Sequence, residues 1–143
     1  MAESQWSVVV SGGPAGFKRD ITAGKHHLVA DEPVDVGGTD RGPGPYELIL
    51  GAMGACMSMT LGLYARRKGI PLEGVVVRLR HGRNYESDCE NCVTQDVRLD
   101  RVTAKLELTG PLTAEQRTKL IEIAHKCPVH RTLTAGIAVT IEA

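Results

Sequence analysis

The sequence predicts an α+β domain, and three observations carry that reading. Short apolar runs broken by glycine and proline fill the N-terminal part, as in a β-meander. From Leu48 to Ala65 the chain then runs 18 residues without a charge, framed by Pro45 and Gly69, which marks a long buried central helix. Further strands and a second, amphipathic helix follow. At 143 residues the chain has room for one domain with a real core, so residues 1–143 are read as a single domain.

Taken in order, "QWSVVVS" predicts the first strand, and "SGGPAG" (Ser11–Gly16) a turn-rich break. "FKRDIT" and "HHLVADE" follow as strands across Ala23-Gly24, and "PVDVGGTDRGPGP" (Pro33–Pro45) reads as a loop long enough for a functional or interface role. Gly44 suits the N-cap of the long helix, Pro45 its first position and Glu47 the positive end of its dipole. "RRKGIP" ends it, with basic residues in the last turn, Gly69 at the C-cap and Pro71 beyond. The middle of this helix is apolar on every side and must be covered on every side. Gly54, Ser58 and Gly62, four apart, would let another helix approach closely, so a homodimer with this helix near its centre is expected.

In "GVVVRLRHGRNY", Val75, Val77 and Leu79 alternate with Arg78 and Arg80 as in a half-buried strand. In "QDVRLDRVTAKLELTG" the apolar phase slips from odd positions (Val97, Leu99) to even ones (Val102 to Leu108), which predicts a β-bulge near Asp100-Arg101. "PLTAEQRTKLIEIAHKC" opens with a capping box, Thr113 with Gln116, and presents Leu120, Ile123, Ala124 and Cys127 on one face. "GIAVTIE" reads as a closing strand.

Net charge is zero and aromatic residues make up 3%, so neither electrostatic attraction to nucleic acid or anionic membrane nor a base-stacking surface is expected. The N-terminus carries no secretory pattern, giving a cytoplasmic default, and the uncharged stretch is read as a core helix rather than a membrane span. Four cysteines in such a chain are more readily catalytic, metal-binding or core residues than a disulfide framework.

Cys56 lies in "ILGAMGACMSMTL", and Cys127 falls on the core face predicted for the second helix, so the two could meet. They could be no more than small apolar fillers. The chemical alternative is a two-cysteine cycle, in which the Cys56 thiolate attacks a peroxide, Cys127 condenses with the resulting sulfenic acid, and an external dithiol resets the pair. An apolar pocket raises a thiol's pKa, and Cys56 sits about three turns into its helix, beyond reach of that helix's dipole. A charged residue from elsewhere is therefore expected to activate it. A second constellation competes for Cys127: Cys89-x-x-Cys92 with Cys127-x-x-His130 has the spacing of a structural zinc site. His27 could face a site or be structural, while His130 and Arg131 could supply a cation at a pocket mouth or cap the preceding helix.

The motifs "GPGPYELILGAMGACMSMTL" and "IAHKCPVHRTL", with "HHLVADEP", "YARRKGIPLE" and "DCENC", make the whole chain resemble the OsmC/Ohr superfamily, the osmotically inducible and organic-hydroperoxide-resistance proteins. The resemblance implies an intertwined α+β homodimer and thiol-dependent reduction of small organic hydroperoxides. It makes Cys56 the peroxidatic and Cys127 the resolving residue, with no cofactor. Peroxidases of this superfamily place a glutamate directly after the proline that opens the central helix, where Tyr46 stands here, with Glu47 next to it. They also carry an activating arginine after a Gly-Gly pair, whereas Gly12-Gly13 is followed here by Pro14. Lys18, Arg19, Arg41, His27 and Arg131 are the candidate substitutes. Beside the peroxidase stand a non-catalytic binding or redox-sensing protein and a zinc protein.

Overall fold

The computed structural model describes residues 6–83, 85–95 and 101–142. They divide into two compact units, Met1–Leu48 with Arg83–Arg98 and Ile49–Gly82 with Leu99–Ala143.

The first unit holds an antiparallel sheet of β1 (Val8–Ser11), β2 (Arg19–Ala23) and β3 (His26–Ala30), in the order β1-β2-β3. The register runs Val9 to Thr22 and Ile21 to Leu28, as a meander of short hairpins requires. Gly24, with φ +60°, turns the second hairpin at the Ala23-Gly24 step. Beyond β3, a short 3-10 turn (Val34–Val36) interrupts the loop predicted at Pro33–Pro45. The loop is tied down by the buried Asp31 carboxylate, which accepts hydrogen bonds from the Thr39 hydroxyl (2.5 Å) and from the amides of Glu32, Thr39 and Arg41. Two glycines make this winding possible. A Cβ on Gly38 would lie 1.9 Å from the Glu32 carbonyl oxygen, and one on Gly42 1.9 Å from that of Val29.

The central helix α1 (Pro45–Lys68) has the predicted bounds, with Arg66, Arg67 and Lys68 in its last turn and Gly69 left-handed at φ +65° after it. By length and composition it could cross a membrane, yet its inward face is packed in protein. In the second unit Leu61 and Ala65 meet Leu120, Ile123 and Ala124 of α3 (Ala114–Ala124), and Met53 and Met57 meet Val77 and Leu79 of β4 (Gly74–His81). Gly54 is consumed by this packing, since a Cβ there would sit 2.8 Å from Leu79 Cδ1. The small residue expected to face another helix thus faces a strand. The outward side of α1 instead carries Ala52, Ala55, Met59 and Leu63, with Met59 73% exposed.

β4 pairs antiparallel with β5 (Val102–Thr109), turning Val75, Val77 and Leu79 inward and Arg78 and Arg80 outward as predicted. The predicted bulge near Asp100-Arg101, with Val97 and Leu99, lies largely outside the described residues. Thr113 and Gln116 form the predicted capping box at the start of α3. Three expectations need correction. "DCENC", whose Cys89-x-x-Cys92 spacing suits a zinc loop, is instead mostly helical, because Tyr85–Asn91 is a helix, α2. Cys127 does not extend α3, which ends at Ala124; it is the N-cap of a further helix, α4 (Pro128–Ala135), with Pro128 at the first position. "GIAVTIE" forms no strand among the described residues. It runs exposed, because a single strand needs a neighbouring edge to satisfy its backbone.

Candidate active site

Cys56 and Cys127 come together within the second unit. Cys127 is fully buried with Met53 and Met57, and the half-buried Cys56 packs against that cluster beside Val77, Leu79, Val102 and Val129. The thiols lie within hydrogen-bonding reach of each other. The first turn of α4 serves both: the amide of Val129 donates to the Cys56 sulfur, and the amide of His130 donates to Cys127 Sγ at 3.2 Å. These are first-turn N–H groups with no partner inside their own helix, so the sulfurs satisfy donors that would otherwise go unpaired. Thr60 Oγ1, one turn along α1, sits 4.0 Å from Cys56 Sγ.

This arrangement separates the two thiols chemically. Burial works against ionising Cys56, but the Val129 amide, the Cys127 thiol and the Thr60 hydroxyl together bring it below its ordinary value. Burial pushes Cys127 up; the His130 amide pulls the other way, while the contact with Cys56 and its negative charge add to the rise. Cys56 is therefore the more readily ionised sulfur of the pair, and Cys127 the one that holds its proton more tightly. The sequence pointed to a charged activator. The groups that lower the Cys56 thiol are instead neutral donors, the foremost a main-chain amide at the start of another helix.

The other candidates have partners of their own. Glu47 Oε1 accepts from the Gly44 amide at 3.3 Å, closing the helix start. His27 pairs with Asp20 at 3.3 Å on the exposed sheet surface. Arg19 donates to the Lys18 carbonyl, and Arg41, exposed, gives its main-chain amide to Asp31. His130 Nδ1 meets the His125 carbonyl at 3.1 Å, its helix-capping alternative, and Arg131 projects from α4 with its amide on the Cys127 carbonyl. Tyr46 belongs to a cluster that sequence reasoning missed. Its hydroxyl donates to the buried Asp88 carboxylate, which also receives a forked contact from Arg83 (Nε 2.9 Å, Nη2 2.5 Å), and its ring meets Tyr85 edge-on at 5.4 Å. Burial first, then the bond to Asp88 and its charge, push the Tyr46 phenol up to about 12, so it remains a donor at physiological pH. Among the described residues no group of three or more His, Cys, Asp or Glu is placed to hold a metal ion, and of the candidate zinc residues Cys89 and Cys92 belong to the first unit, Cys127 and His130 to the second. A groove of about 680 Å³ between the β4–β5 pair and α3, lined by Arg78, Arg80, Lys105, Leu106, Ile121 and His125, takes in neither Cys56 nor Cys127.

The family model described as OsmC-like protein matches residues 38–142, which include α1, both cysteines and α4. The chain belongs to the OsmC-like family. Solved structures agree in fold. The OsmC-like protein of Mycoplasma pneumoniae superposes with a TM-score of 0.72 at 17% identity, over 93% of this chain and 89% of that one. An organic hydroperoxide resistance protein OsmC of Legionella pneumophila gives 0.63 at 20% identity over 90% of each chain. The organic hydroperoxide resistance protein OhrB of Bacillus subtilis gives 0.55 at 20% identity, over 87% of this chain and 86% of that one. No curated protein matches the chain significantly.

Proposed function

We propose that this OsmC-like protein is a cytoplasmic homodimeric thiol peroxidase that reduces organic hydroperoxides, with Cys56 peroxidatic, Cys127 resolving and residues 1–143 acting as one domain. The asymmetry of the cysteine pair carries the reading: the thiol eased toward ionisation is the half-exposed one, and the protonated thiol is buried against it. Relatives in fold that are named for organic hydroperoxide resistance point the same way. The Cys56 thiolate attacks the terminal peroxide oxygen, the O–O bond breaks, and the alkoxide leaves as an alcohol after taking a proton. Cys56 is now a sulfenic acid. The Cys127 sulfur displaces its hydroxyl as water, forming the disulfide, and an external dithiol returns both thiols at the cost of its own oxidation. Methionines, valines and a leucine around the sulfurs favour an alkyl or acyl-chain peroxide over hydrogen peroxide.

The test is consumption of cumene hydroperoxide with excess dithiothreitol. Wild type turns over repeatedly, Cys56→Ser consumes nothing, and Cys127→Ser leaves a sulfenic acid that dimedone traps. Equal inactivity of wild type and Cys56→Ser removes the enzyme reading. One specific observation favours a redox sensor as the second reading: the phenol of Tyr46, held on Asp88, stands where the superfamily's peroxidases carry a glutamate. A sensor consumes one equivalent and stalls in the disulfide although dithiol is present.

A further inference from the structure

We propose that Cys89 and Cys92 form a second, independent redox site, an exposed dithiol that closes to a local disulfide by exchange with a small soluble disulfide of the glutathione type. Nothing in the peroxidase reading uses these two residues, and the proposal does not depend on it.

Exposure comes first. Both thiols face solvent, unlike the buried Cys127, so a disulfide the size of oxidised glutathione reaches them without opening the fold. Spacing comes second. Cys89 is in the last turn of α2 and Cys92 one residue past its end, with the Cys92 amide 3.5 Å from the Cys89 carbonyl. The Cys92 sulfur is folded back over that residue, 3.0 Å from the same carbonyl oxygen. Side chains one turn apart have Cβ atoms about 5–6 Å from each other, and a disulfide wants about 3.5–4.5 Å. Closure therefore needs a shift of about 1–2 Å, which falls on Cys92, past the helix end, where only its long 3.5 Å amide bond to the Cys89 carbonyl has to adjust. Anchoring comes third. Asp88, next to Cys89, is buried and clamped by Arg83 and Tyr46, which holds α2 while its end adjusts. The Tyr85 hydroxyl neighbours the Cys89 thiol.

In the exchange one thiolate of the pair attacks a sulfur of the small disulfide, making a mixed disulfide and releasing one small thiolate. The second protein thiolate attacks the protein sulfur of that bond and releases the other. The dithiol loses two electrons and two protons, and the small disulfide gains them as two thiols.

The test uses the Cys56→Ser/Cys127→Ser chain, in which only Cys89 and Cys92 remain. It is equilibrated in glutathione buffers, alkylated and cut with trypsin, and the fragment of residues 84–98, which contains both cysteines, is weighed. The expected result is one two-electron transition to a fragment lighter by two hydrogens and resistant to alkylation. It should pass from a tenth to nine-tenths oxidised over about a hundred-fold change in [GSH]²/[GSSG]. Cys89→Ser or Cys92→Ser in that background should stop at the glutathione adduct. Adducts or free thiols on both cysteines at every poise, with no internal disulfide, would overturn the proposal and leave two surface thiols without a role. The same fragment from wild type gives the same reading if the double variant folds poorly, because Cys56 and Cys127 lie on other tryptic fragments. Either outcome leaves the hydroperoxide assay untouched.

Discussion

At the scale of the residue, the Cys56 sulfur shows how neutral donors ease a thiol in an apolar site toward ionisation. Its donors are the Val129 amide, the Cys127 thiol and the Thr60 hydroxyl, all fixed by the backbone of α4 or by α1 itself. Thr60→Val removes one donor without changing volume, so the Cys56 thiol should titrate higher, while Thr60→Ser should leave it in place. The pH dependence of iodoacetamide alkylation in a Cys89→Ser/Cys92→Ser background reads this directly; an unchanged profile for Thr60→Val would show that Thr60 plays no part. Tyr46 carries a second prediction. Its hydroxyl can only donate to Asp88, and it keeps its proton because the phenol is pushed up to about 12. Tyr46→Glu puts a second carboxylate against Asp88, where like charges repel. The protein should then lose stability at neutral pH and gain no peroxidase rate, although the change installs the residue type that the superfamily's peroxidases carry. Tyr46→Phe should cost about 1.5–3 kcal/mol in urea unfolding, from the lost bond to a charged group.

At the scale of the element, the loop after β3 behaves as a unit because one carboxylate holds it. The bond from the Thr39 hydroxyl, followed by those from the Glu32, Arg41 and Thr39 amides, outweighs burial and holds Asp31 at about 2, against 3.8 for an ordinary aspartate. A group whose folded pKa lies below its unfolded one stabilises fully above the unfolded value and loses that contribution as pH falls through the folded one. Wild type should therefore lose stability between about pH 4 and pH 2 in a step that Asp31→Asn lacks, as urea midpoints across that range would record. The Asn variant should be the weaker protein at neutral pH. Elements whose ends are written in side-chain chemistry were legible in the sequence: α1 between Pro45 and Gly69, and α3 from its Thr113–Gln116 box. Others were not. Cysteine is an uncommon N-cap and Pro128 reads equally as a helix stop or a helix start, so α4 was missed, and with it the amides that serve the cysteines. The meeting of Cys56 and Cys127 was expected from the apolar face of the second helix, but Cys127 reaches the cluster of Cys56, Met53 and Met57 as the N-cap of α4 instead. The cluster of Arg83, Asp88 and Tyr46 was not, because it depends on contacts 42 residues apart.

At the scale of the molecule, much apolar surface is left uncovered by the chain's own elements. Val8, Val9 and Val10 are all more than half exposed, so both faces of β1 are open, and Ile137, Val139 and Ile141 alternate along an extended C-terminal stretch at 61, 77 and 91% exposure. The outward side of α1 adds Ala52, Ala55, Met59 and Leu63. Large uncovered apolar faces are unfavourable in water, and a second copy of the same chain, bringing its own α1 and its own strand edges, could cover them by symmetry. Met59 lies at the middle of the exposed α1 face and away from the Cys56 sulfur's partners, which makes it the place to test assembly. If the proposed homodimer forms through this face, Met59→Glu should sediment as a monomer at equilibrium where wild type sediments as a dimer, because a carboxylate would be buried against its own symmetry mate without a counter-charge. Met59→Leu should remain a dimer of near wild-type affinity. A Met59→Glu protein that still sediments as a dimer would place the interface elsewhere, and the exposed valines of β1 would be the next face to charge.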